Sequence, residues 1–276
     1  MNQLTHNERD RKVRYLLEKN AAYTVDDLIT VVEILRSEGG CPWDREQTHK
    51  SIRNDFIEET YEVIEAIDTE DPVLLREELG DVLLQVVFHA RIEEEQDVFS
   101  MNEVANDICQ KLIHRHPHVF GTVEVEDSAE VLRNWESIKS DEKSRVTVTD
   151  KLRAIPPMYP ALMRAQKVGK KAACFDFGTT EEVYAKLDEE IAEVKAAAES
   201  GDPNAISEEL GDLLLTVTSL ARKLGVKSEE ALYHATNKFI DRFEQVENAV
   251  LAEGKDMESL TMPELDAIWD EIKHKA

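Results

Sequence analysis

The chain has 276 residues, of which 58 are acidic and 33 basic, so its formal charge at pH 7 is -25. Its 10 glycines, 8 prolines and 6% aromatic residues are few for a fold rich in strands and turns, and they favour an all-α protein. The large negative charge repels phosphate backbones, which excludes a general binder of nucleic-acid polymers.

The sequence also predicts where the protein is located in the cell. No apolar run approaches the roughly 18 residues of a membrane span, and the first twenty residues contain no apolar signal core. The three cysteines, Cys41, Cys109 and Cys174, are far apart and follow no disulfide or metal-binding spacing. We therefore expect a cytoplasmic protein with reduced thiols and no membrane partner.

The predicted elements follow one another in two similar halves. Residues 1–22 are predicted to be a charged N-terminal extension, with an additional helix as the alternative, and residues 23–145 to be a first helical domain. In that domain a helix is expected from about Thr48 and a second from Pro72, because Thr is a good N-cap and Asp-Pro starts helices. A polar stretch leading to Pro156 and Pro157 predicts a linker at 146–157, followed by a second domain at 158–276.

An internal repeat supports this division. A shift of 131 residues places REELGDVLLQV on SEELGDLLLTV and Asp71-Pro72 on Asp202-Pro203. Thr179 and Glu182 form a capping box at the start of the corresponding helix. Each half is therefore predicted to contain an antiparallel pair of helices, with turns near Glu70 and Gly201.

Four acidic residues in each half lie at matched distances from these turns. In an antiparallel pair, equal distance from the turn means equal height along the helix axes, and acids spaced i, i+3 share a helix face. The converging sets are Glu59, Glu62, Glu78 and Asp81 in the first half and Glu190, Glu193, Glu209 and Asp212 in the second. Mid-helix Gly80 and Gly211 in addition suggest a close approach of backbone.

Such carboxylates repel one another unless they are protonated or share a cation. Acidic clusters on helices are usually solvated faces, but two copies that keep all four acids while their neighbours differ favour a metal site. An all-oxygen ligand set suits Mg²⁺, for which Mn²⁺ can substitute. Iron is disfavoured because the Glu-x-x-His spacing from Glu46 to His49 lies outside the set.

The pattern EExxE, a 15-residue spacer and ExxD, present twice, resembles the all-α nucleoside triphosphate pyrophosphohydrolases. GGCPWDREQTH, RHPHVFG and PALMRAQK are similar to segments of the MazG family within that group, and the resemblance extends from about Asp26 to the C-terminus. It implies two MazG-like helical domains whose four-helix-bundle cores are completed in a homodimer. It also implies Mg²⁺-dependent hydrolysis of nucleoside triphosphates to monophosphate and pyrophosphate, with a broad-specificity role in cleaning the nucleotide pool.

Matched position by position, the resemblance implies metal ligands at Glu190, Glu193, Glu209 and Asp212. Glu189, Glu190 and Glu193 are the candidate catalytic residues, and either Glu189 or Glu190 could orient or deprotonate the attacking water. Nucleotide contacts are implied at Lys186, Lys238, Arg242, Trp269 and Lys273. Lys238 and Arg242 are spaced i, i+4, as are Trp269 and Lys273, although each cation could instead be a surface salt-bridge partner.

The second half is predicted to be the active one. The first half has Lys111 and Arg115 at comparable positions, but Asp55 stands where the second half has Lys186. The intact first set of four acids nevertheless leaves activity there open, beside a structural or regulatory role.

Two alternatives to the broad-specificity enzyme remain at this stage. One is a narrow-specificity relative acting on dUTP or phosphoribosyl-ATP. The other is a helical dimerisation or regulatory protein without catalytic activity, whose acidic patches serve only solubility.

Overall fold

The computed structural model describes residues 4–142 and 147–275. Within these ranges the chain consists of α-helices, two short 3-10 helices and connecting turns, with no β-strand, which confirms the all-α prediction. The chain divides into two compact units, Met1–Lys139 and Ser140–Ala276. No helix in the described ranges has the length and apolar character needed to cross a membrane.

Eight α-helices lie between residues 4 and 142. In chain order they are α1 (His6–Glu18), α2 (Val25–Arg36), α3 (Pro42–Glu46), α4 (Arg53–Asp68), α5 (Pro72–Glu94), α6 (Met101–Arg115), α7 (Pro117–Phe120) and α8 (Ser128–Glu142). The main packing in the first unit is α4 against α5, with α2 laid on α5. Its core is formed by Val32, Ile52, Val87 and Phe88.

Six further α-helices lie between residues 147 and 275. They are α9 (Val148–Arg153), α10 (Ala161–Lys171), α11 (Thr180–Ser200), α12 (Pro203–Lys223), α13 (Ser228–Ala252) and α14 (Met262–Lys275), and the 3-10 helices are Ala173–Phe175 and Met257–Ser259. The α11–α12 pair corresponds to α4–α5, and α10 packs on α12 and α13.

Local backbone chemistry explains the two helix pairs. The Asp71 carboxylate accepts hydrogen bonds from the backbone N–H of Val73 at 2.9 Å and of Leu74 at 3.1 Å, which caps α5. Asp202 caps α12 with a single such bond, accepted from the backbone N–H of Asn204 at 3.0 Å. The preceding turns use left-handed backbone at Glu70 (φ 54°) and Gly201 (φ 70°). The predicted starts of α5 at Pro72, α11 after Thr179 and α12 at Pro203 are confirmed.

The start of the first repeated helix was predicted wrongly. Helix α4 begins at Arg53, five residues after Thr48. The Thr48 N–H donates to Ser51 Oγ at 2.9 Å, and the Ser51 N–H donates to Thr48 Oγ1 at 3.3 Å. This reciprocal pair closes a local turn, so the Thr48 side chain does not cap a helix that begins there.

The proposed extension and linker both contain helix. Residues 6–18 form α1, which starts with a Thr5–Glu8 capping box and buries Leu16. The linker prediction at 146–157 is interrupted by α9, whose capping box joins Thr147 and Asp150. The predicted boundary between residues 145 and 146 lies outside the described residues.

Arg36 links three parts of the first unit. Its guanidinium binds both carboxylate oxygens of Glu95 at 2.9 Å, and also donates to the backbone carbonyls of Asp44 and Gln47. The side chain is only 5% exposed and lies over the Phe88 ring. A bidentate, buried pair of this kind fixes the segment that precedes α4 against the end of α5.

We expect Arg36→Met to lower the stability of the first unit by about 3 kcal/mol, because it leaves two carbonyls without their donor and Glu95 with only the Arg91 Nε contact at 3.3 Å. Urea unfolding followed by circular dichroism measures the loss. Arg45→Met, an exposed residue of α3, is the matched control and should change stability by less than about 0.5 kcal/mol. Equal stability of the two variants would contradict this role for Arg36.

Candidate functional site

Two clusters of carboxylates lie on the paired helices. We call Glu59, Glu62, Glu78 and Asp81, on α4 and α5, the first acidic cluster, and Glu190, Glu193, Glu209 and Asp212, on α11 and α12, the second. In the first, oxygens of Glu59, Glu78 and Asp81 all lie within 4.8 Å of one another, and in the second those of Glu190, Glu193 and Glu209 do. Each triad could hold a metal ion. Glu62 and Asp212 fall outside the triads.

The first acidic cluster is electrostatically strained. Burial, followed by the charge of Asp81 and the hydrogen bond and charge of Glu62, raises the pKa of Glu59 to about 6. Glu78 is only 9% exposed, and burial together with the charges of Glu62 and Asp81 raises its pKa as well. The raised pKa values show that negative charge at this cluster is unfavourable unless a cation offsets it.

The second acidic cluster contains an unsatisfied oxygen. Glu190 is 4% exposed, and its Oε2 atom is buried without a hydrogen-bond partner. Leaving such an atom unpaired costs roughly 1–3 kcal/mol, and more for a charged group. Burial and the charges of Glu193 and Asp212 raise the pKa of Glu209 on the facing helix. An orphaned carboxylate oxygen among three converging acids fits a bound cation.

Lys186 supplies a positive charge to this second cluster. Its Nζ atom lies 2.8 Å from Glu189 Oε1, 2.9 Å from Glu190 Oε1 and 3.9 Å from Glu193 Oε2. Hydrogen bonds to Glu189 and then Glu190 raise the pKa of Lys186. The first half has Asp55 at the matching position.

The remaining residues with an implied nucleotide contact lie on α13 and α14. Lys238 and Arg242 belong to α13, and Trp269 and Lys273 to α14, where the Trp269 ring centroid is 5.3 Å from that of Phe239. The three cations make no ion pair or hydrogen bond within residues 4–142 and 147–275, so the salt-bridge alternative is not observed there. The contacts described for these residues do not join them to the second acidic cluster.

The counterparts in the first half are arranged differently. Arg115, at the end of α6, places its guanidinium 5.4 Å from the centre of the Trp135 ring. This cation–π contact joins α6 to α8, whereas in the second half an aromatic pair joins α13 to α14.

Sequence analysis missed a histidine network in the first unit. His49 Nδ1 lies 2.7 Å from His89 Nδ1, and His49 Nε2 lies 2.7 Å from Glu93 Oε1. Burial, followed by the charge of His49, lowers the pKa of His89. The i, i+4 spacing of His89 and Glu93 on α5 is the available sequence signal, whereas the spacing of His49 from Glu46 does not point to this network.

We expect Glu59→Gln to raise the metal-free melting temperature by a few degrees at pH 7.5 and to have little effect below pH 4.5. The folded-state pKa of about 6 exceeds the ordinary value of 4.5. Protonation of Glu59 therefore favours folding, and this contribution is present below pH 4.5 and lost as the pH rises through 6. Gln mimics the protonated acid at every pH.

Thermal unfolding in EDTA at a series of pH values tests this expectation. The exposed Glu65→Gln, also on α4, is the matched control and should not show the pH-dependent gain. A Glu59→Gln variant less stable than wild type at pH 7.5 would show that the cluster is not strained in the absence of metal.

Comparison with known proteins agrees with this arrangement. The model of the MazG nucleotide pyrophosphohydrolase domain matches the chain twice, at residues 47–120 and 178–247, and each match includes one acidic cluster. The chain is 42% identical over 257 residues to a Thermotoga maritima protein named nucleoside triphosphate pyrophosphohydrolase/pyrophosphatase MazG, covering 92% of this chain and 98% of that protein.

Two further relatives carry the name nucleoside triphosphate pyrophosphohydrolase. The one from Escherichia coli K12 is 44% identical over 256 residues, which is 91% of this chain and 97% of the relative. The one from Mycobacterium tuberculosis is 34% identical over 229 residues, which is 81% of this chain and 58% of the relative. On the two domain matches and these identities, the chain belongs to the MazG nucleotide pyrophosphohydrolase family, with two copies of the family's domain.

Proposed function

We propose that the protein is a Mg²⁺-dependent nucleoside triphosphate pyrophosphohydrolase that works at the second acidic cluster. It would convert a nucleoside triphosphate to the monophosphate and pyrophosphate. The observation that carries the proposal is the buried, unpartnered Oε2 of Glu190 inside a triad of carboxylates within 4.8 Å. The names of the relatives from T. maritima and E. coli support the same activity.

Glu190, Glu193 and Glu209 would hold the metal ion, with Asp212 on the next turn of α12 as a fourth ligand. An all-carboxylate set is hard and anionic, which suits Mg²⁺, with Mn²⁺ as a substitute. When bound, the ion neutralises phosphate oxygens and lowers the pKa of a bound water.

The protein's own groups would position the water and take its proton. The water attacks the α-phosphorus in line with the departing pyrophosphate. Glu189 and Glu190 are the two candidates for the proton acceptor, and they differ in environment. The Glu189 side chain is 58% exposed, whereas that of Glu190 is 5% exposed and keeps Oε2 free while Oε1 binds Lys186.

Cations of the second unit would bind the triphosphate. Lys186 lies in the cluster, and Lys238 and Arg242 share one face of α13 without ion-pair partners in the described ranges. Trp269 and Lys273 on α14 offer a ring for the base and a further cation. In a chain of charge -25, such unpaired cations suit a polyanionic ligand.

We also propose that the protein is a homodimer. On α11, α12 and α13 many large apolar side chains are 40–60% exposed in the single chain: Tyr184, Ile191, Leu210, Leu214, Leu215, Val217, Phe239, Ile240 and Phe243. A surface of this kind normally packs against another chain. Gly80 and Gly211 meet nothing within 4 Å where a Cβ would stand, so the expected close approach does not occur within the described chain. A second copy of the chain would make this close approach and complete the four-helix bundles.

The first acidic cluster is then a second metal site in a less equipped half, since Asp55 replaces the lysine. We propose a structural or regulatory role for this half, a cytoplasmic location, and broad specificity among nucleoside triphosphates. Activity restricted to dUTP or phosphoribosyl-ATP is the alternative that a substrate panel distinguishes.

Glu193→Gln and Glu209→Gln should each lower pyrophosphate release by at least about a hundredfold, because each removes a negative ligand of the ion without changing side-chain size. Release is measured with the full chain on a panel of standard and damaged nucleoside triphosphates at saturating Mg²⁺. Circular dichroism should show unchanged helicity.

Glu62→Gln and Glu78→Gln are the matched controls in the first half and should keep most of the activity. A Glu193→Gln variant that releases pyrophosphate at the wild-type rate would contradict the assignment. Loss of activity in the first-half variants alone would move the active site to the first acidic cluster.

A further inference from the structure

Lys186 affects how the second acidic cluster binds cations. Its ammonium lies within 3.9 Å of oxygens on both Glu190 and Glu193, two of the three acids that could share a metal ion. Without a metal, this ammonium is the cation that the cluster contains. The lysine therefore partly neutralises the repulsion that a divalent ion would otherwise relieve.

A divalent cation and this ammonium would share the carboxylates of Glu190 and Glu193. Two positive charges about 4 Å apart repel, and Glu190 Oε1 cannot keep a close lysine contact while its charge is drawn to a metal. The lysine must then give up its contacts or share them. Its side chain is 31% exposed and has a flexible four-carbon stem, so it can turn toward another anion.

We propose that Lys186 is a built-in counter-ion that makes metal binding and triphosphate binding at the second cluster mutually dependent. When the metal takes the carboxylates, the released ammonium binds a phosphate of the nucleotide. Metal without nucleotide leaves the lysine only the exposed carboxylate of Glu189, and nucleotide without metal leaves the lysine on the cluster acids as well. This inference rests on the proposed function and names the residue that couples its two ligands.

The first acidic cluster provides the contrast. Asp55 replaces the lysine, and no lysine or arginine among the described residues pairs with Glu59, Glu62, Glu78 or Asp81. Cation binding there has no ammonium to displace. The first cluster should therefore take a divalent ion whether or not nucleotide is present, whereas the second should take it mainly together with nucleotide.

Coupling of this kind is a measurable free energy and is reciprocal, typically 5–150-fold in affinity. We expect the non-hydrolysable analogue α,β-methylene-ATP to tighten Mn²⁺ binding at the second cluster about tenfold in a chain with Lys186. Lys186→Met should bind Mn²⁺ about tenfold more tightly without the analogue and lose most of the enhancement.

The experiment uses the full chain carrying Glu59→Gln and Glu78→Gln, which removes the first cluster as a competing site. Free Mn²⁺ is followed by electron paramagnetic resonance with and without the analogue, after subtracting the Mn²⁺ that the analogue binds alone. Lys195→Met is the matched control, since Lys195 is exposed on the same helix and makes no ion pair in the described ranges. It should behave as the parent.

The outcomes separate the inference from the function on which it rests. If Lys186→Met binds Mn²⁺ no more tightly than its parent without analogue, or keeps the full enhancement, the counter-ion role is wrong while the metal site stands. If the parent binds no Mn²⁺ with or without the analogue, the proposed metal-dependent function fails, and this inference fails with it.

Discussion

Repulsion between carboxylates on facing helices is the constraint on which the rest of this structure depends. Each helix pair brings three acids within 4.8 Å of one another, and burial weakens the screening that water would provide. The cost appears in the raised pKa values of Glu59, Glu78 and Glu209 and in the unpartnered oxygen of Glu190. This electrostatic cost occurs in both halves of the chain, and the proposed metal ion would offset it in each.

The two clusters differ in the charges that lie beside their mutually repelling carboxylates. In the second, Lys186 places an ammonium on the acids, while in the first Asp55 adds another negative charge to the same helix. In the first cluster the pKa of Glu59 is raised to about 6, whereas in the second the Lys186 ammonium contacts Glu190 and Glu193. The two copies of the repeat thus have different electrostatic environments, which supports the proposed division of labour between the halves.

Much of this arrangement was predictable from sequence, because the relevant signals are local. Asp-Pro caps, the turn at Gly201 and equal spacing from the turn determine which acids face one another, and the structure reproduces the two helix pairs. The exclusion of Glu62 and Asp212 from the triads was not predictable, since it depends on rotamers and interhelix distance. Long-range contacts such as Arg36 with Glu95 and His49 with His89 could not be predicted, because residues so far apart in the chain form no periodic pattern in the sequence. The Thr48 turn was missed because threonine can cap a helix or close a turn.

The most direct test of the account is the Mg²⁺ dependence of thermal stability in the full chain at pH 7.5. An ion that binds only the folded state at about 100 times its Kd stabilises by about 2.7 kcal/mol, which raises the melting temperature by several degrees. The account predicts this rise in the wild type and its loss when both Glu59 and Glu190 are replaced by Gln. An equal melting temperature in Mg²⁺ and in EDTA for the wild type, as expected of a purely structural helical protein, would contradict it.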